Sequence, residues 1–285
     1  LRHALAEPRA VDALHLLGYH LRRAVAAAVI RHASADLLAA GLSQPRVPFC
    51  WITFGSSARG DLLTLEAPSL AAVYDDSHPD FHPLDPAFFA ALAGETLARF
   101  HSLGLSGDGF DWPAGAHPSM PLAEWLRFFT DTAAAPLGHD LFTRRALFDL
   151  APLDGDPLLY HQLRHSLGAI LRQYSGTLAL LANDTLAHLP PLTFFRGLVV
   201  DLDGGHRDHL DLRSSLLLPV ADAARVFALA LAPQAPTGTL ARLDLLAREL
   251  PADADTIRIV ASAFRLGIFY RQIHMGDRRR RRPRH

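Results

Sequence analysis

The sequence contains no lysine, so all 28 of its lysine-or-arginine positions are arginine. This absence excludes any mechanism that needs a lysine nucleophile, a Schiff base or the lysine of a phosphate-binding loop. The single cysteine, Cys50, excludes an intrachain disulfide and argues against a cysteine-based zinc site. Because Cys50 lies in an apolar run, we expect its side chain to be a buried small hydrophobe rather than a nucleophile.

The sequence also lacks a charge imbalance and a long uncharged apolar run. The formal net charge is −1, with 20% charged and 49% hydrophobic residues, which excludes a disordered chain and argues against specific binding of nucleic acid. No uncharged apolar run reaches about 18 residues, so no membrane span is predicted. The chain begins Leu1-Arg2-His3, without a signal-peptide layout or an initiating Met, and we expect a piece of a longer cytoplasmic protein.

Hydrophobic periodicity predicts a mostly helical chain with short strands. Apolar residues recur at helical spacing in five segments, namely about 11–40, 88–103, the residues around Trp125, 158–186 and 220–275. Apolar runs rich in β-forming residues predict neighbouring strands at Phe49–Phe54 and Leu70–Tyr74. A further strand is predicted at Thr193–Val200, and a loop at Gly104–Pro121.

The chemistry-bearing segment begins where the first strand ends. Gly55 and Ser56 follow the apolar run, and a helix is predicted to open there. A strand that runs through Gly-Ser into a helix presents backbone N–H groups and a hydroxyl to a phosphate, and Gly55 permits close approach of the backbone. Arg59 adds a fork of donors. This segment therefore predicts a seat for a triphosphate, although the same turn ends many strands that bind nothing.

The neighbouring residues extend this pattern into a longer motif. Its positions are Pro48, Trp51, Gly55, Ser56, Ala58, Arg59, Asp61, Ala71, Val73 and Tyr74. Matching runs follow downstream at 121–125, 147–156, 191–198, 210–213, 219–229, 239–243 and 270–272. In this order they resemble the nucleotidyltransferase domain family related to the N-terminal part of protein-PII uridylyltransferase. That family is found in bacterial signalling proteins with cyclic-nucleotide-binding and cystathionine-β-synthase-type (CBS) domains.

The resemblance implies an α+β fold in which a small mixed sheet with flanking helices is followed by a mostly α-helical domain. The implied units are a nucleotidyltransferase-like domain at 1–157 and a helical C-terminal domain at 158–285. The implied nucleotide- or phosphate-binding residues are Gly55, Ser56, Arg59 and Asp61. The implied catalytic residue is Asp149, through its carboxylate. An active member would use Mg²⁺ and a nucleoside triphosphate, and the implied partners are regulatory domains or a protein acceptor.

The chain departs from the family at the position that matters most for metal binding. Where the family has Asp-Gln-Asp, this sequence has Ala67-Pro68-Ser69. In the family, two carboxylates on one strand face chelate the Mg²⁺ ions that bridge the phosphates. Ala67 cannot ligate Mg²⁺ and the hydroxyl of Ser69 is a poor substitute, so no metal site is predicted. Pro68 also lacks an N–H, and the stretch should be an edge or a distorted strand.

Other acids do not restore the missing pair. Glu66 is one register off and would point to the opposite strand face, while Asp75 and Asp76 lie at the far end of the strand. Asp149 matches the third carboxylate of the family, but it also fits a turn or capping role. Asp61 fits either a ligand contact or an ion pair with Arg59.

Two main hypotheses follow. In one, the chain is a degenerate nucleotidyltransferase-fold domain that acts as a nucleotide-binding or regulatory module, because two of three metal carboxylates are absent. In the other, it is an active enzyme that moves a nucleoside monophosphate onto a protein or small-molecule acceptor, with Asp149 among the metal ligands. A third alternative is a helical scaffold whose Gly-Ser turn binds nothing. Nucleotide binding with and without Mg²⁺ distinguishes the three.

Overall fold

The structure is a computed structural model that describes residues 8–61, 67–105, 118–135, 145–187 and 211–281. Within these ranges the chain forms four strands and nine helices, with short 3₁₀ turns at 145–148 and 251–253 and a π-helical turn at 213–217. The elements in chain order are α1 (Pro8–Ala39), β1 (Phe49–Phe54), α2 (Gly55–Arg59), β2 (Leu70–Tyr74), α3 (Asp85–Ser102), β3 (Ser119–Pro121), α4 (Leu122–Ala134), β4 (Leu150–Gly155), α5 (Pro157–Gln173), α6 (Gly176–Ala187), α7 (Leu218–Leu231), α8 (Thr239–Glu249) and α9 (Ala254–Arg281).

The four strands form one mixed sheet in the order β3-β2-β1-β4. β1 is antiparallel to both of its neighbours, and Thr53 faces Leu70 of β2 on one side and Ala151 of β4 on the other. β3 adds to the edge of β2 in parallel. The two strands predicted from apolar runs are therefore confirmed as neighbours in one sheet.

Both faces of the sheet are covered by helices, which explains why every residue of β1 except Thr53 is apolar. Cys50 and Ile52 belong to a cluster formed with α4 and α5, whereas Trp51 packs in a second cluster formed with α1 and α3. Alternate side chains of a strand point to opposite faces, so a strand between two helical layers has apolar residues on both of its faces. The predicted α+β class, a small mixed sheet with flanking helices followed by helical sequence, is confirmed.

β4 ends at a position that only glycine can occupy without strain. Gly155 has a φ of +95°, in the left-handed region. A Cβ placed there would overlap the carbonyl oxygen of Phe49 and lie 3.1 Å from the Cα of Cys50. The close approach of β4 to the start of β1 therefore depends on Gly155.

Three predictions of local structure need comment. The helix predicted at 158–186 is two helices, because Tyr174 leaves the helical conformation; after the break, the Thr177 hydroxyl donates to the carbonyl oxygen of Ala133. The loop predicted up to Pro121 contains β3, which forms through backbone pairing with β2 rather than through its own composition. The strand predicted at Thr193–Val200 lies outside the described residues, and the domain boundary near 157 stays a prediction.

One segment of the described residues, Arg213–Leu231, is long and apolar enough to cross a membrane by length and composition alone. Its mean hydropathy is 1.6, and 44% of it is buried inside the protein. The segment includes Asp222 and Arg225, which are buried and ion-paired in the interior. A core helix of a globular protein can have the same length and apolar composition. Buried charged side chains that are ion-paired are typical of such a core helix.

Candidate functional site

The turn between β1 and α2 is built around Gly55. Its φ is +57°, and its N–H donates to the carbonyl oxygen of Asp149 at 3.1 Å. α2 is a short helix that ends at Gly60, whose N–H reaches the carbonyl oxygens of Ser56 and Ser57. Ser56, the predicted phosphate ligand, is half-buried in the first turn. The predicted strand–glycine–helix arrangement is confirmed, with the N–H of Gly55 directed at a protein carbonyl.

Arg59, also predicted to hold a phosphate, is buried and contacts two carboxylates. Its Nε lies 2.5 Å from Oδ2 of Asp61, and its Nη1 lies 2.6 Å from Oδ2 of Asp149. Burial alone would lower the pKa of Arg59, but the two acids outweigh burial and raise it. Asp61 therefore forms the ion pair that was one of its two interpretations, and it also accepts from the hydroxyl of Thr239 at 3.1 Å. The phosphate-binding roles of Arg59 and Asp61 stay predictions.

Asp149, the predicted catalytic acid, directly precedes β4 and has no exposed surface. Arg225 donates from Nη2 to Oδ2 at 2.6 Å and from Nε to both carboxylate oxygens at 3.0 Å. Nη1 of Arg242 donates to Oδ1 at 2.6 Å. Burial alone would raise the pKa of Asp149, but Arg225, Arg242 and Arg59 together hold it well below its usual range. The carboxylate is therefore charged, and both of its oxygens are engaged by guanidinium groups.

These contacts belong to a larger buried cluster. Nη1 of Arg225 lies 2.7 Å from Oδ1 of Asp222, and Nε of Arg242 donates to the carbonyl oxygen of Pro236 at 2.8 Å. Nη2 of Arg242 is buried with no hydrogen-bond partner in the part of the chain that the structure describes. We call six residues the Asp149 network, namely Arg59, Asp61, Asp149, Asp222, Arg225 and Arg242. Arg145 extends this cluster, with its Nε 3.4 Å from Oδ2 of Asp222 and its Nη1 3.1 Å from Oδ2 of Asp184. With this pair included the cations and anions still balance, which is how charges are tolerated in an interior.

The stretch that replaces the acidic motif of the family lies just before β2. Ala67 is 1% exposed and packs with Ala26, Val29 and Phe100 in a small apolar cluster. Regular pairing with β1 begins only at Leu70, so the stretch containing Pro68 is an irregular approach to the strand, as its composition predicts. The methyl group of Ala67 is thus part of the core.

These residues do not fit Mg²⁺, which prefers a near-ideal octahedron of oxygen ligands, several of them water. The donor expected at position 67 is a methyl group, and the oxygens of Asp149 already accept hydrogen bonds from arginines. Among the described residues, no group of three or more His, Cys, Asp or Glu side chains could hold a metal ion. Glu66 lies outside those residues.

Sequence reasoning missed Arg225 and Arg242, which contact Asp149 from the helical half, and Asp222, which pairs with Arg225. Asp222 and Arg225 lie in the motif run 219–229, and Arg242 lies in the run 239–243, but these runs carried no site assignment. The available signal was two arginines, each at a motif position of a predicted helix. A buried arginine needs an acid nearby, yet the sequence does not say which acid.

Two family models match the chain, one in each half. A model described as "Putative nucleotidyltransferase DUF294" matches residues 1–138, and a model described as "Putative nucleotidyltransferase substrate binding domain" matches residues 175–283. The chain belongs to this nucleotidyltransferase family. A search of curated proteins gave no match.

The matched ranges divide the site of this nucleotidyltransferase-family chain. The Gly55 turn and Arg59 fall within the first range, and Arg225 and Arg242 fall within the second. Asp149 lies between the two ranges and contacts residues of both. The buried network therefore joins the two parts of the chain that the family models describe.

Proposed function

We propose that this chain is a degenerate member of its family, a nucleotide-binding or regulatory module that does not carry out Mg²⁺-dependent nucleotidyl transfer. The observation that carries the proposal is the state of Asp149, the one family carboxylate that remains. It is fully buried, and both of its oxygens accept hydrogen bonds from arginines. A carboxylate held in this way is not free to bind a metal ion.

The chemistry of nucleotidyl transfer explains why this matters. Two metal ions stabilise the charge on the attacking and leaving oxygens, and anionic ligands must hold them beside the phosphates. Position 67 offers a methyl group inside an apolar cluster, and position 69 offers a neutral hydroxyl. Loss of such ligands removes several kcal/mol of transition-state stabilisation, which slows turnover by orders of magnitude.

The nucleotide part of the proposal rests on the Gly55–Ser56 turn and on family membership. The turn keeps the strand–glycine–helix geometry that suits close approach of a phosphate, and Ser56 is half-buried rather than sealed in the core. The relation to protein-PII uridylyltransferase, association with regulatory domains or a protein acceptor, and a cytoplasmic location stay predictions.

The test is a binding titration of the whole chain with ATP, GTP, CTP and UTP, each in Mg²⁺ and in a chelator. We expect at least one nucleotide to bind with an affinity that changes little when Mg²⁺ is removed. We also expect Ser56→Phe to weaken that binding by about 1–3 kcal/mol, the range for a lost charged hydrogen bond. Ser102→Phe, at the exposed end of α3, is the matched control and should leave binding unchanged.

Two outcomes contradict the proposal, and a third would place the nucleotide site elsewhere. Mg²⁺-dependent labelling of any acceptor with a nucleoside monophosphate by the unmodified chain would show an active transferase. Failure of all four nucleotides to bind in either condition would leave a scaffold whose turn binds nothing. If wild type and Ser56→Phe bind nucleotide equally well, the nucleotide-binding site does not include the Gly55–Ser56 turn.

A further inference from the structure

The Asp149 network connects parts of the chain that are far apart in sequence. Arg59 follows the glycine turn, whereas Arg225 lies on α7 and Arg242 on α8. All three donate to the same carboxylate, over sequence separations of 90, 76 and 93 residues. Three guanidinium groups from three elements thus meet at one acid in the interior.

Asp149 contacts the glycine turn with its main chain and the helical half with its side chain. Its carbonyl oxygen accepts from the N–H of Gly55 at 3.1 Å. Its carboxylate accepts from Arg225 and Arg242. Asp149 therefore links α7 and α8 to the turn, and displacement of its carboxylate would also shift the carbonyl that fixes Gly55. A second link runs from the hydroxyl of Thr239, at the start of α8, to Asp61.

The network is sensitive to the loss of any one member. Its six residues are at most 8% exposed, so little water is available to solvate a charge whose partner is removed. A buried ion pair contributes little net stability, but breaking one by removing a single partner is costly, and such pairs can specify one arrangement among several. The Asp149 network therefore favours one packing of α7 and α8 against the turn.

We propose that Arg225 and Arg242 are positioning residues for the Gly55–Ser56 turn. By holding Asp149 they fasten α7 and α8 to the sheet, and they fix the turn in the conformation that a ligand meets. The helical half then controls the turn without touching the ligand. This inference rests on the proposed function only for its nucleotide readout.

The first experiment measures hydrogen–deuterium exchange in Arg242→Met and in its matched control, Arg248→Met. Both arginines lie on α8, but the Arg248 side chain is 67% exposed and pairs only with exposed Asp244 among the described residues. We expect the amides of 55–61 to exchange about tenfold faster in Arg242→Met and at the wild-type rate in the control. Amides of α3, which does not contribute to the network, should keep their wild-type rates.

A conservative variant separates positioning from general destabilisation. Arg242→Lys keeps the charge but loses the planar fork that reaches both Asp149 and the carbonyl of Pro236, so exchange at 55–61 should be intermediate. Equal exchange at 55–61 in Arg242→Met and Arg248→Met would overturn the inference. An increase in Arg242→Met that is as large in α3 as at 55–61 would also overturn it.

If Arg242→Met does not fold, the wild-type chain decides the question through exchange in increasing denaturant. If the Asp149 network holds the turn against these helices, the amides of 55–61 should open together with those of α7 and α8. Opening of 55–61 at lower denaturant than these helices would overturn the inference.

Nucleotide binding gives a further readout that distinguishes this inference from the proposed function. Any of the four triphosphates that binds the wild type should bind Arg242→Met about tenfold more weakly, which is 1.4 kcal/mol. An unchanged triphosphate affinity in Arg242→Met would overturn the inference that Arg242 positions the turn. If no triphosphate binds the wild type, the proposed nucleotide binding is wrong. The exchange experiments still test whether Arg242 positions the turn.

Discussion

Replacement of Asp149 by Asn is the most direct perturbation of the network, because it removes the charge and keeps the size of the side chain. Arg59, Arg225 and Arg242 would then be balanced by two acids instead of three. Removal of one partner from a buried ion pair costs about 3–5 kcal/mol. Since total stability is about 5–15 kcal/mol, Asp149→Asn should lower the free energy of unfolding by a large fraction of the whole.

The pH dependence of this effect follows from the direction of the pKa shift. The pKa of Asp149 is far below its usual range in the folded chain, so its stabilising contribution is complete above the unfolded pKa of about 3.9 and is lost as pH falls below it. The stability difference between wild type and Asp149→Asn should therefore be constant from about pH 5 to pH 8 and shrink below about pH 4.

The assay is chemical denaturation followed by circular dichroism at several pH values. The control is Asp244→Asn on α8, whose exposed pair with Arg248 should contribute less than about 1 kcal/mol. A loss of less than about 1 kcal/mol in Asp149→Asn, or a difference that changes between about pH 5 and pH 8, would refute the assignment of Asp149 to a buried charged network.

Three other predictions test separate features of the structure. Ala67→Asp should lower the free energy of unfolding by about 2–4 kcal/mol, because a carboxyl would enter an apolar cluster. The control Ala24→Asp, at an exposed position, should cost less than about 1 kcal/mol, and equal losses would contradict the packing of Ala67. Gly155→Ala should cost about 2 kcal/mol more than Gly41→Ala, since both have a φ near +95° but only Gly155 approaches a neighbouring strand. Burial, and to a lesser extent the charges of two nearby aspartates, raise the pKa of Cys50 to about 12. The thiol should therefore resist alkylation by iodoacetamide at about pH 8 until the chain is unfolded.

The strands around the glycine turn could be predicted because their signals are local. Phe49–Phe54 is a continuous apolar run that stops at Gly55, and Leu70–Tyr74 stops at two aspartates. The bounds of both strands in the structure are those predicted. The break between α5 and α6 was missed because apolar residues continue at helical spacing across Tyr174. The Ser175-Gly176 dipeptide at the break was the local signal for it.

The Asp149 network could not be predicted because its geometry depends on tertiary packing. The motif runs containing Arg225 and Arg242 were visible in the sequence, as was Asp149. Their convergence on one carboxylate depends on how α7 and α8 pack near the start of β4, which no local pattern encodes. The site role of Asp149 stays a prediction from the sequence, and its buried, ion-paired environment became clear only from the structure.

The chemistry of arginine accounts for the way the network is assembled. Arg225 contacts both oxygens of Asp149 with Nε and Nη2 while its Nη1 reaches Asp222, so one planar group joins two acids. A lysine ammonium, a compact charge on a flexible stem, could not hold this fork geometry. Arginine also keeps its charge throughout the physiological pH range. Since the cations of the network are all arginine and the pKa of Asp149 lies far below its usual range, moderate changes of pH leave these charges in place. Protonation of Asp149 is therefore not the means by which the helical half acts on the glycine turn in the proposed arrangement.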